Sequence, residues 1–132
     1  MVLQPFALKL FMQFGAARVF IASGFLHAAS MFLYGLGPSS SLLVFIGAMC
    51  LLSLGEVILG VGEWIFIDQI APDKMASTYF GAVALGNLGA VTGPILGGFL
   101  MDSIGGQYTF VCLALLPLIG TGLLFYTTHD MR

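Results

Sequence analysis

Read along the chain, apolar residues come in long runs, and the polar residues between them are short punctuation. Residues 2–14 are apolar but short and carry Pro5 and Lys9. A small-residue turn follows at Gly15-Ala16-Ala17-Arg18. Uncharged residues then run over 19–55, interrupted by Gly37-Pro38-Ser39-Ser40-Ser41, a turn sequence. Further uncharged stretches cover 75–101 and 103–129. A bilayer core about 30 Å thick takes roughly 20 apolar residues per helix, so each of the last two stretches fits one crossing. The pattern predicts one partial span at 2–14 and four full spans at 19–36, 42–70, 77–101 and 108–126. The third is longer than the hydrocarbon core and must tilt or protrude. It stops at Ala71-Pro72-Asp73-Lys74, where proline cannot continue a helix. A polar turn is expected over 102–107, around Gly105-Gly106.

Composition narrows the class. Of 132 residues, 8% are charged and 59% hydrophobic, and the mean hydropathy is +1.06. A soluble fold of this size needs a polar skin that these residues cannot supply. A water-soluble enzyme, a nucleic-acid binder and a disordered regulator are excluded on that ground. The expectation is an all-α, polytopic transmembrane helical bundle, in which every backbone hydrogen bond closes inside a helix. Cys50 and Cys112 sit within apolar runs and make no disulfide framework. Residues 1–8 lack the basic start of a secretory signal.

Charge placement sets an expected sidedness. With alternating spans, the connections at 15–18 and 71–76 share one side with the C-terminus. Arg18, Lys74 and Arg132 fall on that side and Lys9 lies near it, whereas the loops at 37–41 and 102–107 hold no Lys or Arg. The positive-inside rule makes the first side, and the C-terminus, cytoplasmic.

Two helices carry the candidate chemistry. In the third, Glu56 lies fourteen positions beyond Leu42, about 21 Å along the helix, and Glu63 follows seven residues later on nearly the same face. An ionised acid at that depth costs a few kcal/mol or more unless solvated or paired. Such a carboxyl is either a proton-exchanging group or a hydrogen-bonded structural acid. In the fourth, Gly89, Gly93 and Gly97 recur every four residues, beside Pro94 and Gly98. That face admits close helix approach, whether as static packing or as a sliding interface. His27 and Asn87 read as interhelical hydrogen-bonding groups, His27 alternatively as a relay toward Glu56. Trp64, Tyr79, Tyr108 and Tyr126 lie near helix ends and read as interfacial aromatics. Asp68 and Asp73 read as solvated. No phosphate-binding loop, metal-ligand spacing or nucleophile–base pair is present, so neither cofactor nor metal is expected.

Three stretches resemble a known family. Lys9 to Val19 (KLFMQFGAARV) is similar to the degenerate second copy of the cytoplasmic loop motif of major facilitator superfamily transporters, matching at Gly15 and Arg18. Leu54-Gly55-Glu56 through Ala71-Pro72 to Tyr79-Phe80-Gly81 resembles their tenth helix and the loop after it. Gly89-x-x-x-Gly93-Pro94-x-x-Gly97-Gly98 resembles the antiporter glycine-proline motif in its eleventh-helix form. The N-terminal half would bring Asp and several basic residues into the first loop and an Arg into the third span, and neither is present. The resemblance therefore implies part of the C-terminal half of a drug:proton antiporter in the plasma membrane, from the end of helix eight to helix twelve. It implies small-molecule substrates and coupling protons, with Glu56 and Glu63 as candidates to bind them, and a peripheral ninth helix, which lowers the interest of His27. It implies also that an N-terminal transporter half is missing and that the chain, as a fragment, does not transport alone. Two other architectures compete: a structural or assembly subunit of a membrane complex, and a small multidrug transporter. The latter carries its key Glu in the first span, where this chain has only Lys9.

Overall fold

The computed structural model describes residues 4–38, 41–72 and 75–130. Five helices follow in order: α1 (Gln4–Phe14), α2 (Ala16–Leu36), α3 (Leu42–Ile70), α4 (Ala76–Ile104) and α5 (Gly106–Asp130). Among the described residues there is no strand. Among the described residues, four helices are long and apolar enough to cross a membrane. The chain is an all-α helical membrane bundle.

Two expected turns shrink to one residue each. Gly15 (φ 80°, ψ 151°) alone separates α1 from α2, and Gly105 (φ 82°, ψ 154°) alone separates α4 from α5. That backbone region is essentially closed to residues with a Cβ. At each glycine one hydrogen-bond ladder ends and the next begins. Gly15 N–H donates to Phe11 O and Gly15 O accepts from Val19; Gly105 N–H donates to Met101 O and Gly105 O accepts from Thr109. The turns expected at 15–18 and 102–107 are corrected accordingly: Arg18 stands in the first turn of α2, and Asp102 in the last turn of α4. α2, α4 and α5 all extend beyond the apolar runs, because a helix ends where its ladder stops and not where hydrophobicity does. Ser39, Ser40, Asp73, Lys74 and Arg132 lie outside the described residues, as does the side chain of Asp68.

α2 is the middle of the bundle, packed on α3 along one side and on α5 along the other. Small residues make both seams. Toward α3, Ser23 donates its hydroxyl to Gly55 O at 2.9 Å and Ser30 donates to Ala48 O at 2.8 Å. Ser23, Ser30 and Ala48 are each 0% exposed. Toward α5, Gly24 faces Thr121 and Pro117, and Gly35 faces Val111 and the Gln107 carbonyl. Side chains this short bring the backbones close, and in lipid that close packing replaces the hydrophobic drive of a soluble core. The bulky residues point outward: Leu43, Leu88, Phe99 and Leu116 are exposed. α1 closes one end of the α2–α3 pair. There Phe11 lies over Gly62 and meets Phe20 edge-on at 5.7 Å, and Phe11, Ala16 and Val19 form a buried cluster.

At the opposite end, Tyr34 of α2 lies between Phe45 of α3 and Phe110 of α5, with ring centroids 5.0 and 5.1 Å away. Residues near chain positions 11, 20, 62, 79 and 124 thus gather at one end, and those near 34, 45, 106 and 110 at the other. This is the alternation of up and down helices that the charge argument assumes.

Candidate functional site

α3 has two faces of different character. One is small and buried: Ala48, Gly55 and Gly62 recur every seven residues and receive α2 and α1. The other carries Ile46, Met49, Ser53, Glu56, Gly60 and Glu63, spaced alternately by three and four, and all of these are exposed. A helix places such positions in one stripe. Glu56 and Glu63 therefore share a face, and neither forms an ion pair or hydrogen bond with another described residue. A carboxyl in a membrane-crossing helix is rare unless it meets protein or a water-filled cavity. On α3 that requirement falls on this stripe.

Glu63 also borders a cavity of about 500 Å³. Phe20 of α2, Leu59 and Ile67 of α3, Tyr79, Ala82 and Val83 of α4, and Leu124 of α5 complete its wall. The volume lies within the ~300–1,000 Å³ range of small-molecule pockets. Apart from Glu63 and the Tyr79 phenol, the wall is aliphatic and aromatic, a lining suited to apolar matter rather than to a metal ion. Among the described residues, no group of three His, Cys, Asp or Glu is placed to hold a metal.

His27 does not join the acids. Its Nδ1 lies 2.9 Å from Ser23 O, one turn back in its own helix. The partner is a carbonyl, so Nδ1 carries the proton and donates. The ring lies against Gly55, where an added Cβ would come within 2.5 Å of Nδ1. The relay toward Glu56 is not formed. His27 is instead a packing element on the buried face of α3, bonded within its own helix and not across to a neighbour. Within this chain α2 is the shared partner of α3 and α5.

The glycine-proline stretch lies wholly within α4. Pro94 is inside the helix, where its missing N–H removes one bond of the ladder. A Cβ built on Gly89, Gly93, Gly97 or Gly98 meets nothing within 4 Å, and the described residues from Ala84 to Leu96 are all exposed. Within this chain, then, the glycine face is neither a static seam nor a sliding one. It is open. Trp64, Tyr108 and Tyr126 are exposed near helix ends, whereas Tyr79 turns into the cavity wall.

Sequence reasoning missed the serine and glycine seams of α2. The signal was present in Ser23, Ser30 and Ala48 and in Gly24, Ala28 and Gly35. In membrane helices, small residues at helical spacing mark contact faces, but similar spacings occur in α4, where no described residue packs on the glycines.

Two known transporters resemble this chain. Over 76 residues it is 40% identical to the uncharacterized MFS-type transporter YdeE of Escherichia coli (strain K12), covering 58% of this chain and 19% of that protein. Over 83 residues it is 35% identical to the uncharacterized MFS-type transporter YqjV of Bacillus subtilis (strain 168), covering 61% of this chain and 20% of that protein. The matches span about a fifth of the length of these curated relatives. They support membership of the major facilitator superfamily. No family model and no solved structure matches the chain.

Proposed function

We propose that this chain is part of a major facilitator transporter that moves small molecules across the plasma membrane by proton-coupled efflux. The observation that carries the reading is the exposed acid stripe of α3, on a chain that resembles two MFS-type transporters. Glu56 exchanges the coupling proton or meets a cationic substrate, and Glu63 serves the same path nearer the cytoplasmic end. The open glycine face of α4 receives the N-terminal half, and rocking of the two halves alternates access to the path. By the positive-inside rule, Arg18 and Lys9 support a cytoplasmic α1–α2 connection and, with it, a cytoplasmic C-terminus. On its own, the chain does not transport.

The test is a graft. The chain replaces the matching segment of YdeE, and the product is reconstituted with an imposed pH gradient and a panel of cationic and neutral dyes. Gradient-driven dye movement lost with Glu56→Gln, at unchanged insertion, is the expected result. Unchanged transport by Glu56→Gln removes the acid from the mechanism. Transport by the isolated chain would overturn the two-half reading.

A further inference from the structure

A second cavity lies at the end of the bundle opposite Glu63. Phe20, in the wall of the Glu63 cavity, and Tyr34, in the wall of this one, are fourteen residues apart on α2, ~21 Å along the helix. The second cavity holds about 210 Å³. The last turn of α2, the first turns of α3 and α5, and Gly37 and Pro38 enclose it. No described residue of α4 or of the acid stripe lines it. It is therefore separate both from the proposed transport path and from the glycine face given to the N-terminal half.

Its wall is chemically mixed. Three rings meet there, one from each helix. Tyr34 lies edge-on to Phe45, with planes at 72°, and tilted by 32° on Phe110. Two hydroxyls border the same space. The Ser41 side chain caps no amide of α3, and neither it nor the Tyr34 phenol forms a hydrogen bond with another described residue. No acid or base is among the described wall residues.

We propose that this cavity binds a small neutral aromatic molecule carrying one hydroxyl, of the size of phenol. Volume sets the size. An apolar cavity of about 150 Å³ takes benzene, so 210 Å³ admits one ring with one small substituent. It is too small for a drug-sized ligand, whose pockets begin near ~300 Å³. A guest ring finds edge and face partners in Tyr34, Phe45 and Phe110, the arrangements that aromatic pairs prefer. The Ser41 and Tyr34 hydroxyls can each donate or accept, which suits a guest group that does both. A carboxylate or ammonium would lose its hydration with no counter-charge in the wall. The site does not rest on the transport reading.

Titration with phenol tests it. The full chain, with ring-labelled tyrosine, is placed in lipid nanodiscs, and each tyrosine resonance is assigned by a Tyr→Phe variant. Tyr34 is expected to shift saturably. Tyr79 and Tyr126, at the other end of the bundle, should follow only the linear drift of phenol dissolving in lipid. Ser41→Ala should weaken phenol by roughly 3- to 10-fold, the worth of one hydrogen bond, and leave toluene, which has no hydroxyl, unchanged. Nothing lies within 4 Å of a Cβ built on Gly106 at the cavity edge, so Gly106→Leu should fill the space and abolish saturation by both. A Tyr34 shift that stays linear in phenol overturns the site. So does an unchanged titration in Gly106→Leu, an equal effect of Ser41→Ala on phenol and toluene, or benzoate binding as tightly as phenol. Should Gly106→Leu fail to insert, saturation in the parent chain and the phenol–toluene comparison in Ser41→Ala decide.

Discussion

Gly35 gives the sharpest test of the packing. It is buried where α2 meets α5, and a Cβ added there would lie 2.6 Å from Val111 Cγ2, 2.8 Å from Gln107 O and 3.1 Å from Val111 N. Two of these three atoms are backbone, so no rotamer change relieves them. The helices must separate by several tenths of an ångström, which also loosens the Tyr34–Phe110 ring contact one position away. Overpacking of this kind costs about 1–3 kcal/mol. Alanine returns up to ~1 kcal/mol of helix propensity, leaving Gly35→Ala destabilised by roughly 1–2 kcal/mol. Gly60→Ala is the control. Nothing lies within 4 Å of its Cβ, so it takes the propensity gain without the clash and is expected to be neutral or more stable by up to ~1 kcal/mol. Reversible unfolding in mixed micelles of mild detergent and dodecyl sulfate, followed by circular dichroism, measures both. Equal stability of the two variants would refute the α2–α5 seam.

Three further outcomes follow from the same geometry. Ser23→Ala and Ser30→Ala each remove one hydroxyl bond to α3 and should cost ~0.6 kcal/mol, with ~1.7 as the upper end for such bonds in membranes; the sites are seven residues apart, so the double variant should be additive. Gly55→Ala should push the His27 ring off Ser23 O, seen as a changed imidazole proton resonance in labelled protein together with a loss of about 1–3 kcal/mol. Gly15→Ala and Gly105→Ala meet no neighbours, so their cost is backbone strain alone, about 1–3 kcal/mol each in the same unfolding assay.

The class of fold was legible because a bilayer imposes length and hydropathy on every span. The acids of α3 were legible for the same reason: in so apolar a helix, Glu56 and Glu63 stand out, with Asp68 near its end. Boundaries were less so. Gly15 and Gly105 each compress a turn into one residue through a dihedral state that hydropathy does not report, and this moved Arg18 and Asp102 into helices. Partner choice was not legible. The small residues of α2 and the glycines of α4 look alike in sequence, yet the first are sealed by α3 and α5 while the second stand open. His27 shows the same limit, since its position suggests a hydrogen bond to a neighbouring helix, whereas helix rotation aims it at Ser23 of its own helix and at Gly55.

The central claim is that the α3 stripe lines a watery path shared with the rest of a transporter. Single cysteines at each position from 53 to 63 of α3, in the YdeE graft lacking Cys50 and Cys112, are exposed to a membrane-impermeant thiol reagent. Labelling is expected to peak at Ser53, Glu56, Gly60 and Glu63 and to fall at Gly55 and Gly62, which are buried against α2 and α1. Flat labelling, or peaks at Gly55 and Gly62, would contradict it.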